Sequence, residues 1–126
     1  MTPEEKATAY TAAWNSKSGA AVAAHFAQDA SIIINRGDPH VGSAALEAMA
    51  NGFHAEFPDL YLTCDGIRAA GDHMIYLWTL EGHHVDTGNH CRVSGWEEWD
   101  LGPDMLVLHS KGWFDAVDYQ RQIDGA

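Results

Sequence analysis

Three ionisable side chains stand where their neighbours along a strand make them chemically conspicuous. Glu81 falls in register with Ile75, Leu77 and Thr79 on one face of an alternating segment that begins at His73. A carboxylate that continues an apolar face must reach solvent at a rim or be buried, at a cost of roughly several kcal/mol unless paired. Asp115 ends the last alternating segment, with Asp118 three residues on. That spacing fits a helix N-cap worth about 1 kcal/mol, and the same carboxylate could also serve a site. His109 shares parity with Lys111, Trp113 and Asp115, where an imidazole could orient an acid or relay a proton, or simply be an exposed strand histidine. Should Glu81 and Asp115 face each other across an apolar hollow, repulsion and apolar walls would leave one protonated and the other ionised near neutrality. Such a pair can move a proton to and from carbon, or activate a water, with no metal or cofactor.

The histidines invite a metal reading, because His83, His84, Asp86, His90 and Cys91 crowd one strand, loop and strand junction. Parity opposes it. Adjacent His83 and His84 project to opposite faces of a strand, and neither an HExxH motif nor paired CxxC motifs set ligands on one side. The aromatic residues speak to a ligand instead: Trp14, Trp99 and Trp113 suit a flat-walled pocket, with Tyr10 and Phe26 beside them, for a small apolar, cyclic or aromatic molecule. Gly-rich phosphate loops and the GxSxG elbow are absent.

These residues need elements to hold them. Thr2 can cap a first helix with Pro3 at its first position and Glu5 completing a capping box; it runs to about Ser16, with Tyr10 and Trp14 on one face. A short second helix is predicted over Ala20–Ala27 from the Val22 and Phe26 spacing, then a strand over Asp29–Asn35 and a turn over Arg36–Pro39. Ser43 is expected to cap a third helix, Ala44 to about Glu56, stopped by Pro58. Strands follow over Leu60–Ala70, His73–His84, Cys91–Leu101 and Met105–Phe114, with a closing helix over Asp115–Ile123. Helices followed by successive strands on tight connections indicate an α+β domain whose antiparallel sheet carries helices on one face. The strand from His73 is apolar on both faces, Met74, Tyr76, Trp78 and Leu80 against Ile75, Leu77 and Thr79. The helices can cover only one of them, so the other is expected to meet a second copy in a homodimer, with Trp78 on that contact face.

A chain of 126 residues suits one domain spanning 1–126. With 7 Lys and Arg against 18 Asp and Glu, its formal charge of −11 disfavours nucleic acid and anionic membranes as partners. The acidic N-terminus lacks the basic start of a signal peptide, and no apolar run approaches a bilayer span, which points to the cytoplasm. Cys64 and Cys91 lack metal-type spacing and read as reduced, buried thiols.

Taken with this order of elements, several short patterns carry a resemblance. They are Trp14-Asn15, Phe26-Ala27-Gln28-Asp29-Ala30, Gly42 before the third helix, Phe57-Pro58-Asp59-Leu60, Gly82-His83-His84, and Phe114-Asp115 before Gln120-Arg121-Gln122. The chain resembles the SnoaL-like branch of the nuclear transport factor 2-like superfamily. The resemblance implies a cone-like, strongly curved sheet wrapped around three N-terminal helices, with a blind apolar pocket and commonly a dimer. It implies a cofactor-independent isomerase, cyclase, dehydratase or hydrolase, or a non-catalytic ligand-binding or dimerisation module of the same fold. By position Asp115 is similar to the family's acid at the end of the last strand, and Glu81 to one acid of the epoxide-hydrolase members. The arginine those members place two residues earlier is Thr79 here. On this reading Asp115, Glu81 and His109 are the catalytic candidates, and Tyr10, Trp14, Phe26, Phe57, Thr79, Trp99 and Trp113 the substrate-binding ones.

Overall fold

The computed structural model describes residues 1–126. Helix α1 (Pro3–Asn15) opens on the capping box read from the sequence: the Glu5 amide donates to the Thr2 hydroxyl at 3.1 Å, and the Thr2 amide to the Glu5 carboxylate at 2.8 Å. Helix α2 (Gly19–Ala23) is capped by Ser18 and ends before Phe26. The apolar spacing of Val22 and Phe26 predicted a longer helix, but Phe26 opens strand β1 (Phe26–Ile34), where it pairs with Val107. Sheet pairing over nine residues outweighs the weak helical preference of one further turn. Strand β2 (His40–Val41) precedes helix α3 (Ser43–Glu56). Gly42, not Ser43, holds the N-cap position of α3, at φ +90° and without a side-chain cap bond. A left-handed entry that suits glycine replaces the expected serine cap. Strands β3 (Tyr61–Ala70), β4 (His73–His83), β5 (His90–Leu101) and β6 (Val107–Phe114) follow, and helix α4 (Ala116–Asp124) closes the chain. No helix is long and apolar enough to cross a membrane.

The six strands form one mixed sheet in the order β2-β1-β6-β5-β4-β3. All neighbours are antiparallel except β1 and β6. Bulges at Asp65 in β3 and at Leu108 in β6, opposite Asp100/Leu101, sharpen the bend of the sheet, as an extra residue on one strand does. The sheet curls around the helices as an unclosed cone, with α1 against β3, α3 against β1 and α4 against β5.

Strand parity sorts the two faces. On β5, Cys91, Val93, Gly95, Glu97, Trp99 and Leu101 are buried, while His90, Arg92, Ser94, Trp96 and Asp100 are exposed. On β4, Met74, Tyr76 and Leu80 are buried on the concave side, and Trp78 lines the same hollow. Its expected place on a dimer face is thus corrected by its own parity. The innermost layer is aromatic: Tyr10 meets Trp99 edge-on at 4.8 Å and 82°, and Trp99 stacks on Tyr76 at 5.2 Å and 13°. These offset and T-shaped contacts suit the ring quadrupoles.

Gly95 permits the tightest part of this packing. A Cβ there would lie 2.2 Å from the Trp113 carbonyl oxygen and 2.7 Å from a ring carbon of Trp78, so the bare backbone is what lets the indole rest on the sheet. Below the aromatic layer, Lys6 is only 1% exposed, and its ammonium donates to the His25 carbonyl at 2.9 Å and contacts His25 Nδ1 at 3.1 Å. Burial brings Lys6 down to about 8, against the opposing pull of Asp104 and Glu97. Burial and the Lys6 charge bring His25 down to about 4, so its neutral ring presents Nδ1 as acceptor.

Two outcomes follow from this packing. Gly95→Ala should lose about 1–3 kcal/mol in urea unfolding, because neither the carbonyl nor the indole can yield without moving two strands. Between pH 8 and 10.5 the unfolded chain holds the Lys6 proton and the folded chain does not, so this group makes stability rise with pH across that window. Lys6→Met lacks this contribution, so the wild-type denaturation midpoint should rise relative to that of Lys6→Met across the same window.

Candidate functional site

The concave face of the sheet, with α1, α3 and α4, lines a half-open cavity of about 60 Å³. That is room for several water-sized groups, hence for a small molecule and not an extended one. Its walls are Ile32 and Ile34 from β1, Leu62 from β3, Trp78 and Leu80 from β4, Val93 from β5 and Phe114 from β6, with Trp14, Met49, Phe53 and Tyr119 from the helices. Twelve of its 14 lining residues are hydrophobic, and the one ionisable carboxyl among them is Glu97.

Glu97 is 7% exposed. Its Oε1 accepts from Ser110 Oγ at 2.9 Å, Trp99 Nε1 at 3.1 Å and Tyr10 Oη at 3.2 Å, while Oε2 accepts from the same Tyr10 hydroxyl at 2.9 Å. Three elements thus converge on one carboxyl: α1 through Tyr10, β5 through Trp99, and β6 through Ser110, which faces Trp99 across the ladder. Burial pushes the Tyr10 phenol well above its ordinary value, and the Glu97 charge adds to it, so Tyr10 stays a donor. For Glu97 itself burial is the largest influence and raises it above the usual carboxylate range. The bonds from Trp99, Ser110 and Tyr10, and the charge of Lys6, pull the other way without cancelling it. The one phenolic proton of Tyr10 lies nearer Oε2, so Oε1 takes Ser110 and Trp99 while Oε2 takes Tyr10 and keeps one further acceptor position. Desolvation in these apolar surroundings favours the protonated form of the carboxyl, and its donors hold it in one orientation.

The sequence-derived candidates fall in several places. Asp115 is exposed and serves as the N-cap of α4, its Oδ1 accepting from the Asp118 amide at 3.0 Å. Glu81 faces outward on β4 and is 44% exposed at its side chain, beside His90 Nε2 at 3.2 Å and Arg92 Nε at 3.7 Å. Neither lines the cavity, so the two acids do not meet there. The helix that starts at Asp115 claims its carboxylate, and the strand parity of Glu81 turns it to the convex side. His109 is exposed on β6 and bonds Ser31 Oγ at 3.0 Å.

Among the expected binding residues, Trp14 lines the cavity, and Tyr10 and Trp99 lie behind it as donors to Glu97. Phe26 packs against Tyr10 in the core, and Phe57 against His84 and Tyr119. Thr79 is buried on the opposite face of the sheet, its hydroxyl bonded to Asp65 Oδ2 at 2.5 Å and to Ser94 Oγ at 2.7 Å. Trp113 borders the cavity but stands in register with outward-facing Trp96, with the Arg36 guanidinium 5.2 Å from its ring. The crowded histidines divide between partners: His83 Nδ1 lies 2.6 Å from Asp59, and His90 pairs with Glu81.

Sequence reasoning missed Glu97, along with Ser110, Phe53 and Tyr119. A signal for Glu97 was present. In Trp96-Glu97-Glu98-Trp99 one glutamate must face inward, and parity with Cys91, Val93 and Leu101 selects Glu97. Tryptophans three apart lie on opposite faces of a strand, so the aromatic pattern alone leaves the choice open.

Comparison with known proteins accords with this architecture. A hypothetical protein of ketosteroid isomerase-like fold from Catenulispora acidiphila, crystallised with trimethylamine, superposes with a TM-score of 0.88 at 19% identity, covering 98% of this chain and 95% of that one. TsrD from Streptomyces laurentii gives 0.84 at 17%, covering 98% and 95%. The epoxide hydrolase/cyclase-like enzyme SalBIII, of pyran ring formation in the polyether salinomycin, gives 0.81 at 15%, covering 91% and 92%. At these identities the likeness is one of fold. No curated protein matches the chain in sequence. The family described as the SnoaL-like domain matches residues 7–109, most of the length, and the chain belongs to that family.

Proposed function

We propose that this protein is a general acid/base enzyme acting on a small apolar or cyclic molecule in the cavity, with Glu97 as the group that carries the proton. The observation behind this reading is a single carboxyl buried among aromatic and aliphatic walls, raised above its ordinary range, and held in one orientation by Ser110 and Trp99 on Oε1 and by Tyr10 on Oε2. Isomerisation, cyclisation, dehydration and hydrolysis all need such a proton carrier, and none of these steps requires a metal or cofactor to supply it. Glu97 takes the role that the sequence assigned to Asp115 and Glu81, whose carboxylates are held at the surface. SalBIII and the ketosteroid isomerase-like relative lend this fold a precedent for small ligands. A non-catalytic ligand-binding module is the second reading, favoured by the fact that the Glu97 carboxyl is already well supplied with donors.

The partner proposed for the convex face is a second copy of the chain. Ile75 and Leu77 are half-buried there, Trp96 is 41% exposed, and the Thr79–Asp65–Ser94 hydroxyl and carboxylate cluster sits among them. An aromatic anchor amid aliphatic residues on one sheet face suits an isologous pairing. The cytoplasm is the proposed setting, consistent with two free cysteines, one buried and one half-buried.

Three measurements bear on these proposals. Deuterium exchange at the α-carbons of cyclohexanone in D₂O, followed by NMR, should be catalysed by the wild type. It should fall roughly 10²-fold or more in Glu97→Gln, whose amide copies the shape of the protonated acid; equal rates would leave the binding-module reading standing. Thermal unfolding gives a readout independent of turnover. The folded chain binds the Glu97 proton more tightly than the unfolded chain, so its contribution is fully present below about pH 4.5 and is lost as pH rises through the elevated folded value. Glu97→Gln should therefore gain in Tm relative to wild type as pH increases from 4.5 to 8. Light scattering at micromolar concentration should give a dimer mass for the wild type and a monomer for Trp96→Glu, which buries a charge at the proposed contact.

A further inference from the structure

We propose that Lys6 is the positioning residue of the buried acid: its ammonium, held near the Trp99 ring whose N–H serves Glu97, sets how tightly that carboxyl keeps its proton. The inference rests on the reading of Glu97 as the proton carrier and concerns its regulation. Lys6 and Glu97 are the two charged residues buried in this chain, at 1% and 7% exposure. The Lys6 ammonium donates to the His25 carbonyl at 2.9 Å, contacts His25 Nδ1 at 3.1 Å, and forms no salt bridge. A neutral donor would satisfy that carbonyl, and an apolar residue is often at least as stable as a charge at a buried site. The cation is therefore more than the local packing requires.

Two chains of contact lead from Lys6 to Glu97. Along one, Nζ lies 5.9 Å from the centre of the Trp99 ring, whose Nε1 donates to Glu97 Oε1 at 3.1 Å. Along the other, the His25 ring meets Tyr10 edge-on at 5.7 Å and 88°, and the Tyr10 hydroxyl donates to Oε2 at 2.9 Å. Lys6 and Tyr10 stand four residues apart on α1, so one helix face carries both the cation and a donor to the carboxyl. Tyr10 and Trp99 are wholly buried, and a charge acting through such a medium is far less screened than through water. A positive charge so placed favours the carboxylate over the acid.

The other titratable neighbours hold one state meanwhile. Burial keeps the Tyr10 and Tyr76 phenols protonated, and His25, brought down to about 4, is neutral above that pH. Ser110 on β6 brings no charge, and Asp104, in the turn between β5 and β6, acts on Lys6. Lys6 itself gives up its proton near pH 8, and Glu97 then holds its own more tightly. Such coupling is reciprocal: the Glu97 charge strengthens the hold of Lys6 on its proton by as much as the Lys6 charge weakens that of Glu97.

The test is an NMR titration of the intact protein from about pH 4 to 10. It follows the ¹³C carboxyl of Glu97, assigned through Glu97→Gln, and the ¹³Cε of Lys6, assigned through Lys6→Gln. Lys6→Gln keeps a donor for the His25 carbonyl and removes the charge, so the Glu97 midpoint should rise by about one pH unit, a roughly tenfold tighter hold on the proton. Lys6→Arg keeps the charge and should stay within about 0.3 unit of wild type. Glu97→Gln should lower the Lys6 midpoint by the same amount as Lys6→Gln raises that of Glu97. An unmoved Glu97 midpoint in Lys6→Gln, an equal rise in Lys6→Arg, or an unmoved Lys6 midpoint in Glu97→Gln would each overturn the proposal. The last of these decides it even if Lys6→Gln folds poorly. None of the readouts needs turnover. Shifted midpoints with cyclohexanone exchange undiminished in Glu97→Gln would sink the catalytic reading alone, whereas diminished exchange with fixed midpoints would sink only the role of Lys6.

Discussion

Burying one carboxyl inside an aromatic core is the constraint around which this molecule is arranged. An unpaired carboxylate in such surroundings would cost more than the margin by which small domains are stable. Here the cost is offset by hydroxyl and indole donors drawn from a helix and two strands, Tyr10, Ser110 and Trp99. Each donor must itself be rigid. Tyr10 is wedged edge-on against Trp99 and Tyr76, and Trp99 is stacked on Tyr76. The Tyr76 hydroxyl in turn bonds Thr11 on α1. The packing that fixes α1 to the sheet is therefore the packing that fixes the proton-carrying group.

The curvature of the sheet is the second requirement. Flat, it would leave the helices no cleft and the carboxyl no hollow to face. The bulge after Cys64 bends β3 and turns Asp65 onto the convex side, where it binds Thr79. Gly95 lets the Trp78 ring lie against β5. Both irregularities work through backbone geometry, and they place an apolar ring at the cavity wall and a polar cluster on the opposite face.

Lys6 belongs to the same design from below. A cation 1% exposed is tolerable because the His25 carbonyl and neutral imidazole satisfy it, and because Glu97 and Asp104 supply the opposing charge. Its Nζ lies 5.9 Å from the centre of the Trp99 ring whose N–H serves Glu97. One indole thus serves both groups, its ring near the Lys6 ammonium and its N–H on the Glu97 carboxyl.

Local patterns in the sequence determined the elements: a capping box at Thr2 and Glu5, alternation over four long strands, an Asp115 cap, and a set of motifs characteristic of a SnoaL-like cone. These rest on interactions within a few residues, or on a period that burial imposes along one strand. Trp14 as a wall of the cavity was also legible, since its helical face shares Tyr10. The identity of the buried acid was decided only by tertiary structure. Which of Glu81, Glu97 and Asp115 faces the hollow depends on which side of each strand the helices cover and on whether a following helix claims the carboxylate. The parallel pairing of β1 with β6, which joins residues nearly eighty apart, was equally invisible to any local rule, because the free energy of such a contact is realised only when the whole sheet closes around its core.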